Sequence, residues 1–175
     1  MKLLRAIKLL CVIMVVATTV SANNATSIDP ASELQDAALN YESAADAQLS
    51  LANGLLRSRR SAEAEEETVP RQNRLVHNAS LELQAANHLM GAAGNLDHAT
   101  RAWRAAAQAS PESAARKFFQ RSGLEAHRRA TGLMRRAAEL AEHAALEFAA
   151  ANNLQQQAHA SHRAGRIREQ LAERR

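Results

Sequence analysis

Apolar positions recur along most of the chain at alternating spacings of four and three. From Leu34 the series Ala38, Tyr41, Ala45, Gln48, Ala52 and Leu55 makes a heptad-like stripe with one polar interruption, the pattern of a helix that buries one face. Asp29 followed by Pro30 is a start signal, with Asp as the cap and Pro at the first helical position. Asn53-Gly54 is placed to cap or fray the end. A second stripe, Leu75, Ala79, Leu83, Ala86, Met90, Ala93, Leu96 and Trp103, predicts a helix from about residue 73, kinked at Gly91 and Gly94. Ser110-Pro111 predicts a third start, with Ser110 as the cap. That last helix is expected to run to about residue 172, with a break at Ser122-Gly123, on a stripe that includes Ala130, Leu133, Ala137, Leu140, Ala144 and Phe148.

Between the first two stripes, residues 57–72 (RSRRSAEAEEETVPRQ) replace periodicity with a basic cluster, an acidic cluster and Pro70. Such a segment predicts a linker. The expected fold class is all-α: an elongated, Ala-rich antiparallel hairpin or three-helix bundle. Small seam residues let helices approach closely but bury little apolar area each, so self-association through the same stripes is also expected.

The first 22 residues differ from the rest. Lys2, Arg5 and Lys8 accompany an apolar run from Leu9 to Ala17, and Val20-Ser21-Ala22 ends it with small residues. This is the layout of a cleaved secretory signal peptide; the polar Thr18 and Thr19 come too early for a membrane span. The chain then divides into a signal peptide (1–22), an N-terminal helical leader or prosegment (23–56), a charged linker (57–72) and a helical domain (73–175). Without the leader the net charge falls from +4 to +1, since it carries three of the 22 basic residues and no acid. That balance lacks the basic surplus a nucleic-acid partner calls for. The only cysteine, Cys11, lies in the leader, so the remainder must fold without disulfides and is suited equally to a reducing compartment.

Little in the pattern points to catalysis. There is no G-x-S-x-G elbow, no cysteine nucleophile beyond the leader, and Gly91-Ala92-Ala93-Gly94 has no following Lys-Ser/Thr to make a phosphate loop. A non-enzymatic protein without cofactor is expected. Glu139, His143 and Glu147 form an i, i+4 ladder, and His159 and His162 an i, i+3 pair. Zinc wants three or four converging ligands, so these read as ordinary solvated helix neighbours and no metal site is expected. Trp103, Phe118, Phe119 and Phe148 read as core anchors. The end of the chain, with Arg163, Arg166, Arg168, Arg174 and Arg175 against Glu169 and Glu173, reads as a solvated helix end rather than a lipid-binding element.

Three local motifs remain. Arg57-Ser58-Arg59-Arg60 matches the R-x-R-R pattern of furin-like and Kex2-like proproteases, whose acidic pockets take successive Arg side chains of an extended peptide. Cleavage after Arg60 would release residues 61–175. Asn24-Ala25-Thr26 and Asn78-Ala79-Ser80 are N-glycosylation sequons. Gly54-Leu55-Leu56-Arg57, followed by Glu65-Glu66-Glu67, resembles the RxLR–dEER leader of oomycete secreted effectors. Gly54 stands where that family has Arg, and Thr68 follows the acids in place of Arg. The resemblance implies a host-directed effector whose helical domain binds a host protein, inside host cytoplasm or nucleus, and modifies defence or cell death.

Overall fold

The computed structural model describes residues 29–64 and 70–174. Four helices, α1 (Pro30–Ala64), α2 (Arg71–Ala109), α3 (Ser113–Ala150) and α4 (Leu154–Ala172), make an all-α bundle with no strand among these residues. Each helix packs on the next in sequence. Cross-helix pairs fix the directions. Gln48 meets His88 and Arg59 meets Glu82, so α1 and α2 run antiparallel. Trp103 stacks on Phe119 while Glu82 meets His143, so α2 and α3 do too. α2 therefore lies between α1 and α3, and α4 folds back along α3.

The heptad reading holds except at Tyr41, which was expected on the α1 stripe but is exposed, its ring stacked on His98 of α2. Ala31, Ala38, Ala45 and Ala52 of α1, seven residues apart, are all buried. α2, covered from two sides, buries three such series: Ala79, Ala86, Ala93, Thr100, Ala107; Asn78, Ala85, Ala92, Ala99, Ala106; and Glu82, Leu89, Leu96, Trp103. A single buried stripe identifies an outer helix, and three identify a central one. Leu89, Leu96, Met134, Phe148 and Ile167 are the largest fully buried side chains.

Helix ends depart from expectation in several places. Asp29 does cap α1, its Oδ1 accepting the Ala31 N–H at 3.0 Å. The helix then continues through Asn53-Gly54 to Ala64, so residues 57–64 of the expected linker are helical. α2 begins at Arg71, immediately after Pro70, and runs unbroken through Gly91 and Gly94. Its packed faces outweigh the roughly 1 kcal/mol that a mid-helix Gly costs. Ser110 closes α2, donating its N–H to Ala106 O, and does not cap α3, whose N-cap is Glu112. α3 starts at Ser113, two residues later than the Ser110-Pro111 signal places it, so Ser110 lies outside the cap position.

α3 likewise passes unbroken through Ser122-Gly123. Gly123 is buried because α3 crosses α2 closely there: a Cβ at this position would lie 3.2 Å from the Trp103 Cβ. The expected single last helix is two helices. Asn152 takes the left-handed conformation (φ 54°), which Asn adopts more readily than other residues with a Cβ. Asn153 donates its N–H to Phe148 O at 2.8 Å and accepts the Gln156 N–H on its side-chain oxygen, so it starts α4. The hairpin or three-helix bundle expected from the stripes is thus a four-helix chain of antiparallel neighbours.

Candidate functional site

Among the described residues, a group of four ionisable side chains sits where α1, α2 and α3 meet. Glu82 occupies a core position of α2, one heptad before Leu89, and its side chain is 3% exposed. Arg59 reaches it from α1, with Nε 3.0 Å from Glu82 Oε1. The same guanidinium donates from Nη2 to Glu147 Oε1 of α3 at 3.1 Å. His143, one turn before Glu147, places Nδ1 2.7 Å from Glu82 Oε2. One guanidinium, one imidazole and two carboxylates are thus brought together from three helices.

The electrostatics follow from the burial. Desolvation pushes the Glu82 carboxyl above its usual range, opposed by the His143 hydrogen bond and by the charges of Arg59 and His143, while nearby Glu147 adds to the rise. Arg59 uses one oxygen of each carboxylate. Glu147 Oε2 is buried and has no hydrogen-bond partner, an uncommon condition for a buried carboxylate oxygen. One carboxylate oxygen each from Glu82 and Glu147 and one nitrogen of His143 lie within 4.8 Å of one another.

His143 and Glu147 were legible as an i, i+4 pair, but Glu82 was not assigned to them. It is 61 residues away from His143. The available signal was its register, seven residues before Leu89 and fourteen before Leu96, which places a carboxylate on a core face. Glu139 is exposed and does not join the cluster. His159 and His162 are exposed on α4, and no other group of three metal-ligating side chains occurs among the described residues.

The remaining candidate residues scatter. Gly54, Leu55, Leu56 and Arg57 lie within α1, where Leu56 is buried and Arg57 exposed. In the R-x-R-R motif Arg60 is also exposed, whereas Arg59 is held by the ion pairs above. A protease that reads an extended peptide therefore requires this end of α1 to unwind first. Residues 1–22, Asn24 and Glu65, Glu66 and Glu67 lie outside the described residues. Asn78 is buried on α2 and its Oδ1 has no partner, while the Ser80 hydroxyl donates to Val76 O at 2.7 Å. A glycan at Asn78 has to be attached before the helices pack.

The aromatic residues divide. Trp103, Phe119 and Phe148 are core residues, as expected, but Phe118 is exposed, its ring edge-on to Trp103. Trp103 also donates its indole N–H to Glu42 of α1 at 2.8 Å, so it ties all three long helices together at the end of the bundle opposite Arg59. A groove of about 750 Å³ between α3 and α4 is lined by Arg128, Thr131, Arg135, Arg168 and Leu171 among others. Arg168 is committed to Glu142, and Arg174 beside it to Asp97. No described helix is long and apolar enough to cross a membrane. Comparison with protein-family models, with curated proteins and with solved structures finds no match to this chain.

Proposed function

We propose that the chain is an exported, non-enzymatic effector that binds a host protein and modifies host defence or cell death. The observation that carries this reading is a helical bundle with no cysteine beyond Cys11. Packing and ion pairs hold it, so it needs no oxidising compartment and would persist in another cell's cytosol. The apolar leader and the Gly54–Arg57 tetrad ahead of the acidic run support the same reading. The working unit is the bundle from Pro30 onward, because α1 covers one face of α2 and Arg59 neutralises Glu82.

The test is expression inside host cells, without the leader, of residues 29–175 beside residues 71–175. The longer chain is expected to alter defence or cell death. The shorter one, which leaves the α2 face bare and Glu82 without its arginine, is expected to accumulate poorly. No effect of the longer chain across several hosts would sink the proposal.

A second reading, a structural helical protein that self-assembles, draws support from the large apolar side chains left exposed: Leu39 and Leu51 on α1, Leu146 on α3 and Leu154 at the start of α4. It expects oligomers whose size rises with concentration. A monomer at all concentrations by sedimentation removes it.

A further inference from the structure

We infer that Glu82, His143 and Glu147 form a binding site for one divalent cation of the zinc type, joining α2 to α3 with Arg59 of α1 holding the carboxylates from behind. The convergence comes first. His143 and Glu147 project from successive turns of α3, Glu82 faces them from α2, and their donor atoms lie within 4.8 Å of one another.

The distribution of partners is the second, independent observation. Arg59 engages Oε1 of both Glu82 and Glu147. That leaves Oε2 of Glu82 against the imidazole at 2.7 Å, and Oε2 of Glu147 buried with no partner at all. The single guanidinium occupies one oxygen of each carboxylate, and the second oxygen of each remains on the side away from it. A cation between Glu82 Oε2 and His143 Nδ1 takes the place of the hydrogen-bonded contact that now joins them. It also supplies a partner for the second carboxylate. The guanidinium remains as the outer support that orients metal-binding carboxylates in many sites.

The donor set selects the ion. Calcium and magnesium want six or more oxygens around them, whereas one imidazole with two carboxylates suits zinc, with water as the fourth ligand. His143 is 51% exposed, which opens the site to solvent for ion entry and for that water. A chain that lacks disulfides gains a cross-link between its helices in this way, as small folds with structural metals do.

The test uses the full chain carrying His159→Ala and His162→Ala, which removes the exposed histidine pair on α4 as a competing chelate. Zn²⁺ is titrated into it by calorimetry, with Mg²⁺ as the comparison ion. About one equivalent of Zn²⁺ is expected to bind, with a rise in the thermal midpoint, and Mg²⁺ is expected to do neither. Adding His143→Ala, at an exposed position where helicity by circular dichroism should not change, is expected to weaken Zn²⁺ binding at least tenfold. Glu147→Gln, which keeps the shape of the side chain, should lose as much. No Zn²⁺ uptake by the starting protein, or a loss smaller than tenfold in the folded His143→Ala variant, overturns the assignment.

Discussion

Arg59 and Glu147 stand 88 residues apart in sequence and meet at 3.1 Å, the guanidinium donating to Glu147 Oε1 while its Nε faces Glu82. This one side chain pairs the first helix with a carboxylate on each of the two behind it. Arg59→Ala leaves Glu82 buried without its cation, a loss of about 2 kcal/mol for a partly exposed partner. Urea denaturation of the two proteins measures it. Arg60→Ala, one residue along at an exposed position, is expected to change stability by less than about 0.5 kcal/mol. Equal effects of the two substitutions would remove the special role of Arg59.

Two glycines make opposite predictions from the same substitution. At Gly123 a Cβ would meet the Trp103 Cβ at 3.2 Å, between two long helices that cannot easily part. Gly123→Ala is expected to destabilise by about 1 kcal/mol net, overpacking outweighing the gain in helix propensity. At Gly54 nothing lies within 4 Å of the added methyl. Gly54→Ala is expected to stabilise by up to about 1 kcal/mol. Thermal denaturation of both variants decides whether packing or propensity governs each site.

The break between α3 and α4 rests on Asn152 at φ 54°. Asn152→Ala is expected to cost about 1 kcal/mol, since a residue with an ordinary Cβ is strained there. Asn152→Gly should preserve or raise stability. A loss in both variants would show that the side-chain amide, and not backbone conformation, sets the turn.

Glu82 and Glu142 should move stability in opposite directions with pH. Burial raises the folded-state pKa of Glu82 above the usual 4.5. Its contribution to folding is therefore full below that value and is lost as pH rises through the raised pKa. The Arg168 hydrogen bond lowers the pKa of Glu142 below 4.5. Its contribution is present above 4.5 and is lost as pH falls through the folded-state value. In metal-free buffer, Glu82→Gln should flatten the stability profile above about pH 4.5, and Glu142→Gln the profile below it, where the effect is small because that pair is solvated. Unchanged slopes in both variants would remove these assignments.

The Glu82 cluster shows how far a single sequence reaches into a site. The i, i+4 spacing of His143 and Glu147 is a local fact, set by 3.6 residues per turn, and needs no structure to be seen. That Glu82 faces them depends on the crossing of α2 and α3, which no local spacing encodes. The segment 57–60 makes the same point from the other side. Its basic residues read as an open linker, yet α1 continues through them, because Arg59 finds its carboxylates on helices that begin beyond residue 70.

By itself the sequence determined the all-α class, the start of α1 at Asp29-Pro30 and one buried stripe on each of α1, α2 and α3, Tyr41 excepted. Each of these follows from backbone propensity and the period of the helix, which act over a few residues. Only the tertiary structure decided that α2 is the central helix, that Gly123 is a crossing point, that the last stripe belongs to two helices, and that Arg59, Glu82, His143 and Glu147 meet. Those outcomes depend on which faces cover one another and on what burial does to charge. They are properties of contacts between distant residues, and Ala-rich stripes, all alike in size, do not distinguish one partner from another.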